Sequence, residues 1–168
     1  MNKIRLFSFI TYSDENILID YLSLISGKFG KYDFFTQNIR YSGNLTDNIG
    51  ADSNYKIKIV SFKKLYSYDK CRFFLRGRDK IQNQLAKTGY TNFQVTCGYL
   101  NKYHVVTLNS MPGHERLYLE KNMYAQIQLV SINGRMISIK KDQMEFSLLE
   151  VKKYFEDLHS LYREQISK

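Results

Sequence analysis

Asn133 and Gly134, set between the apolar Ile132 and Met136, constrain what this chain can fold into more than any other pair of residues. A two-residue type I′ turn needs positive φ at both positions, which Asn and Gly tolerate, so the pair predicts a β-hairpin. The segments before it read the same way. Phe93 to Tyr99 alternates as Phe93, Val95, Cys97 and Tyr99, and a short turn at Asn101 and Lys102 leads into His104 to Leu108. Leu117 to Glu120 and Met123 to Ser131 form a further pair. A run of strands joined by hairpins implies a largely antiparallel sheet.

The first half mixes strands and helices. Ile4 to Tyr12 is apolar and β-prone, and Ser13, Asp14 and Glu15 then supply a cap and first-turn acids for a helix that Gly27 and Gly30 stop. Phe34 to Tyr41 reads as a second strand and Ser42 to Asn54 as a loop. Tyr55 to Phe62 alternates, so one face should be buried and the other should display Lys56 and Lys58.

Asp69 to Thr88 reads as a helix closed by Gly89, with Cys71, Phe74, Ile81 and Leu85 on one face and Arg72, Arg76, Lys80 and Lys87 opposite. Arg78 falls on the apolar face. A continuous helix would pair it internally or aim it into a cleft, whereas a kink or end at Gly77 would return it to solvent; the helix cost of glycine favours the second. Ser147 and Glu150 predict a capping box for a last helix whose stripe of Val151, Phe155, Leu158 and Tyr162 packs inward. His159 is expected at its periphery.

These elements predict one α+β domain over residues 1–168, a largely antiparallel sheet with helices on one face, a ferredoxin-like opening and extra hairpins. Cys71 and Cys97 are too few for a disulfide framework or a four-cysteine zinc site, so no metal and no cofactor is expected. Ser13 to Asn16 interrupt the first apolar run too soon for a spanning helix, and no cleavage site follows. The expectation is a cytoplasmic protein with no membrane attachment.

The positive charge is concentrated. Residues 51–100 hold ten basic groups against three acidic ones, and all ten lie between Lys56 and Lys87. Such a stretch attracts phosphate-bearing or acidic partners, and equally describes a solvated face neutralised by acids elsewhere.

Few catalytic patterns survive. No glycine-rich loop joins a strand to a helix, and neither cysteine sits in a nucleophile signature. His104 and His114 are not followed by the Thr or Ser that two-histidine phosphoesterases carry two positions on. His114, Glu115, Arg116 and Tyr118 form a polar cluster beside Pro112, where Arg116 can bind an anion or pair with a carboxylate.

Over nearly its whole length the chain resembles a bacterial family of unknown function, catalogued as domain of unknown function 4416. The carriers are Leu6 to Phe29 with Tyr12, Ser13, Asp14 and Glu15; Ser61, Phe62 and Leu65; Gly98, Tyr99 and Leu100; Arg116, Tyr118 and Leu119; and Tyr124 with Ala125. The family pattern places an aspartate, a proline, a lysine, a histidine and a glutamate where this chain has Thr96, Cys97, His104, Glu115 and Gln126, and only Arg116 is retained among the polar positions. The resemblance implies the fold, and a polar set that this chain has lost or rebuilt.

Three functional expectations follow. The first is noncatalytic binding of an anionic partner, nucleic acid or another polyanion, through Lys56, Lys58, Arg72, Arg76, Lys80 and Lys87. The second is an enzyme or degenerate enzyme acting on a phosphorylated or nucleotide substrate in a pocket of Arg78, Tyr99, His104, Arg116 and Gln126. The third is docking onto an acidic protein partner.

Overall fold

Strand β1 (Lys3–Tyr12) is buried on both its faces, and the other elements are arranged around it. The computed structural model describes residues 3–41, 55–90, 92–139 and 144–167. After β1 come α1 (Glu15–Phe29), β2 (Tyr32–Phe35), β3 (Ile39–Tyr41), β4 (Tyr55–Ser67), α2 (Lys70–Ala86), β5 (Phe93–Leu100) and β6 (His104–Asn109). They are followed by β7 (Leu117–Glu120), β8 (Met123–Ile132), β9 (Arg135–Ser138), α3 (Met144–Ser147) and α4 (Leu149–Ile166). The loop expected at Ser42 to Asn54 lies outside the described residues.

The nine strands form one open, antiparallel sheet in the order β2-β4-β1-β5-β6-β8-β7, with β3 beside β4 and β9 beside β8. The α+β class and the antiparallel sheet are as expected. β4 and β5 each run antiparallel to β1 and therefore parallel to one another, so α2 connects two strands with β1 held between them. β2 also runs antiparallel to β4 and so parallel to β1, with β4 between them; β1–α1–β2 and β4–α2–β5 are thus two interlocked split crossovers, the ferredoxin-like opening that was expected. Asn133 and Gly134 both adopt positive φ in the β8–β9 turn.

The helices do not share one face of the sheet. Ile4, Leu6, Ile10 and Tyr12 of β1 point into a core with Ile17, Tyr21 and Ile25 of α1 and Phe74 and Ile81 of α2. Phe7 and Phe9 point the other way, into a second core with Val151, Phe155, Leu158 and Tyr162 of α4. A strand that is apolar at both odd and even positions must be covered on both sides, and this overturns the expectation of helices on one face. The odd row also carries Arg5, 1% exposed, whose guanidinium pairs with Asp33 of β2 and donates to Gln165 of α4 at 3.0 Å.

Other local expectations are corrected. Phe34 to Tyr41 divides into β2 and β3 because the side chain of Thr36 accepts the Ile59 N–H at 3.0 Å in place of a backbone carbonyl. α2 runs unbroken through Gly77, since a Cβ there would sit 2.9 Å from the Phe29 ring and the helices close on a bare backbone. Arg78 is therefore paired internally: Nη1 donates to the Val95 carbonyl at 2.8 Å and the Asp79 carboxylate lies 3.1 Å from Nε.

Ser147 is not the N-cap of α4. Leu148, extended at ψ 137°, is the N-cap of α4 without a side-chain bond, and Ser147 instead ends α3. His159 is buried rather than peripheral, with Nε2 2.8 Å from the Lys102 carbonyl, so it ties α4 to the β5–β6 turn. At the outer edge of the sheet the Met136 N–H donates to the Glu156 carboxylate of α4 at 2.9 Å.

Candidate functional site

The sheet face beneath α4 changes character along its strands. Near α4 it is apolar, with Phe7, Leu100, Val105 and Leu129 packed under Phe155 and Leu158. Beyond Phe9 the same rows turn polar: Thr11 on β1, Gln94 and Thr96 on β5, Thr107 and Asn109 on β6, and Gln126 and Gln128 on β8. Strand pairing sets these side by side, with Thr11 opposite Gln94, Phe9 opposite Thr96, and Thr107 opposite Gln126. α3 supplies a wall through Glu145 and Phe146, and the β6–β7 loop supplies Arg116. Together they enclose a cleft of about 170 Å³.

A β-bulge sharpens the floor. Between Val105 and Val106 the β8 partner steps from Leu129 to Ile127, which leaves Gln128 unpaired, on the face it shares with Gln126 by alternation, and brings Leu129 onto that face as well. Bulges of this kind re-aim a side chain beside functional sites. Gln128 Nε2 donates to Thr107 Oγ1 at 2.8 Å, and the Thr107 hydroxyl donates to the Gln126 carbonyl at 3.4 Å. Gln128 Oε1 is buried without a hydrogen-bond partner among the described residues. The floor is closed, with Thr107 1%, Gln128 5% and Gln126 6% exposed, whereas Thr96, Asn109, Arg116 and Glu145 at the rim are half-buried.

The rim holds the charge. Arg116 is wrapped by its own loop: Nη1 donates to the Met111 carbonyl at 3.0 Å and the Pro112 carbonyl at 3.4 Å, and a Cβ at Gly113 would lie 3.1 Å from the Arg116 side chain. Glu145 accepts the Tyr41 hydroxyl at 3.2 Å. Burial, reinforced by that carboxylate, pushes the Tyr41 phenol up to about 12.

Of the five residues expected to form a pocket, the sheet brings Arg116 and Gln126 together and puts the others elsewhere. Tyr99 and Arg78 lie on the opposite face beneath α2, where the Tyr99 ring meets Tyr68 at 5.3 Å and burial raises its pKa. His104 shares the side of Val106 and Leu108 by strand alternation. Three positions singled out by the family pattern, Thr96, Arg116 and Gln126, converge on the cleft. Cys97 is buried in the other core, where burial pushes its thiol up to about 11.

The basic stretch is divided. Lys56 pairs with Glu15 at the start of α1 at 2.7 Å. Lys58 is half-buried with its ammonium 4.9 Å from the Phe35 ring centroid, and burial lowers its pKa against the opposing pull of Glu15. Arg72 is half-buried, whereas Arg76, Lys80 and Lys87 are exposed along α2. Among the described residues none of these three has an ion-pair partner. Among the described residues no cluster fit to hold a metal ion occurs, and no helix is long and apolar enough to cross a membrane.

The family model described as Domain of unknown function (DUF4416) matches residues 2–162 of the chain. No curated protein and no solved structure matches it.

Proposed function

Because the chain belongs to the family described as Domain of unknown function (DUF4416), a description that assigns no activity, we propose a function from the cleft itself: noncatalytic binding of a small anionic molecule. Arg116 takes the negative group, and the amides and hydroxyls of the floor take the remainder. The observation that carries this reading is the buried Gln128, whose Oε1 has no hydrogen-bond partner among the described residues. An orphaned buried acceptor costs roughly 1–3 kcal/mol, and a ligand donor removes that cost. Pockets with a few convergent polar groups on a rigid scaffold are the usual form of a small-molecule site.

Binding is favoured over a reaction by the chemistry of the lining. Its titratable side chains among the described residues are Arg116 and Glu145, and Glu145 is engaged by Tyr41. Amides and hydroxyls hold and orient, but do not exchange protons near neutral pH. Ribose 5-phosphate tests the reading. It should raise the Tm of the wild-type chain, and Arg116→Gln should remove that rise without lowering the unliganded Tm by more than a few degrees. An undiminished rise in Arg116→Gln would refute the assignment.

A second reading rests on Arg76, Lys80 and Lys87, which lie exposed and without ion-pair partners among the described residues. On this reading α2 binds a polyanion such as nucleic acid. Three phosphate contacts on duplex DNA would give log K a slope of about −2.7 against log salt, from roughly 0.9 per contact. Replacing all three with Gln should abolish that slope. Salt-independent retention of the wild-type chain on DNA would rule it out.

A further inference from the structure

Resting on the reading of the cleft as an anion site, we infer that its ligand is a nucleoside monophosphate, with the base on the floor and the phosphate at Arg116. The gradient in burial and charge sets this orientation. Thr11, Thr107, Gln126 and Gln128 on the floor are all neutral and at least nine-tenths buried, whereas Arg116 and Glu145 stand at the half-buried rim. A charged group on that floor would lose its water and meet no counter-charge, so the inner end of the ligand is neutral. Its anionic end lies outward, where the guanidinium fork suits phosphate geometry.

The inner end must also donate a hydrogen bond. The Thr107 hydroxyl donates to the Gln126 carbonyl and so accepts from Gln128 Nε2, which leaves Gln128 Oε1 as an acceptor without a donor. Each of the four common bases carries an N–H edge able to fill that role, and side-chain amides read such edges well. Phe9 and Phe146, packed on one another with ring centroids 5.0 Å apart, also line the cleft and give it an apolar side that suits a base better than a bare sugar. The enclosed space of about 170 Å³ equals five or six waters at about 30 Å³ each. That is room for one ring system, with ribose and phosphate toward the rim.

The test is calorimetric titration of the full chain with AMP, CMP, GMP and UMP, beside ribose 5-phosphate and inorganic phosphate. At least one nucleotide should bind ten times more tightly than ribose 5-phosphate. Gln128→Met should remove most of that advantage, weakening the nucleotide by a larger factor than ribose 5-phosphate, and Arg116→Gln should weaken every phosphate alike. A 5′-phosphorylated tetranucleotide that binds more tightly than any mononucleotide would support the same base and phosphate contacts and identify a strand end as their source. If ribose 5-phosphate matches every nucleotide, the base assignment falls and the anion site stands. If no probe binds the wild-type chain, both fall.

Discussion

Two surfaces share the strands beneath α4. Toward the helix, Phe7, Val105 and Leu129 face Phe155 and Leu158 and are sealed. A few residues along the same strands, Thr11, Thr96, Thr107, Gln126 and Gln128 face a cleft that α3 walls only in part. The backbone is continuous, so the difference resides in the side chains. Apolar rows draw a helix onto themselves because covering them removes water-exposed area, at about 25 cal/mol per Å². Amide and hydroxyl rows gain little from a cover that cannot satisfy them, and they stay open to a ligand that can. One half of the face supplies stability, and the other is the half we propose for recognition.

Breaking the apolar half should have the largest effect. Phe155 meets Phe7 edge-on at 5.0 Å and stacks near Phe146, so Phe155→Ala should cost about 3–5 kcal/mol, read as a lower urea midpoint. Thr107→Val on the polar half should cost about 1–2 kcal/mol in the same assay, because Gln128 Nε2 then loses its acceptor.

The opposite face is distinguished by alkaline titration. Burial pushes Cys97 up to about 11 and Cys71 up to about 12, against an ordinary thiol value of 9.0. Folded pKa values above unfolded ones contribute stability that is complete below pH 9 and lost as pH rises through 11 to 12. Melting temperature should therefore fall above pH 9, and Cys71→Ala with Cys97→Ala should flatten that fall. Gln128→Met, on the neutral floor of the cleft, should not alter it. The smallest change has the opposite sign to the first: Gln128→Met should leave stability within about 1 kcal/mol of wild type or slightly above, since it removes an orphaned acceptor. A large loss of stability in Gln128→Met would remove the distinction between the two halves.

The fold was largely legible because its signals are local. Asn133 and Gly134 fix a turn by their own φ values, and alternation in Phe93 to Tyr99 fixes a strand. The second covered face was also written in the sequence: Phe7 and Phe9 interleave with Leu6 and Ile10, a strand apolar on both sides. Arg78 was misplaced because the need for Gly77 arises from Phe29, on another helix.

The cleft was half legible. Arg116 stood out in a polar cluster at a strand end and Gln126 as a family-pattern position, and Thr107 between Val106 and Leu108 was a further polar residue at an inward position. Gln128 follows Gln126 by alternation, but Leu129 beside it needs the bulge. Simple alternation puts Leu129 on the face opposite Gln128, whereas the skipped register at Val105 and Val106 puts both under α4. Nor could alternation tell which polar rows would meet, since Thr11 and Gln94 become neighbours only by long-range pairing.

The position of β1 has a consequence for how the chain is made. The strand is synthesised before its partners, yet pairs with β4, which ends at Ser67, and with β5, which ends at Leu100. At about 5–20 residues per second, several seconds separate the emergence of β1 from that of β4. Throughout that interval a segment with Ile4, Leu6, Phe7, Phe9 and Ile10 has neither of its long-range pairing partners. The ribosome-bound nascent chain is thus most exposed to aggregation at β1, and a chaperone that engages this strand should raise the yield of folded protein more than one that engages the hairpins.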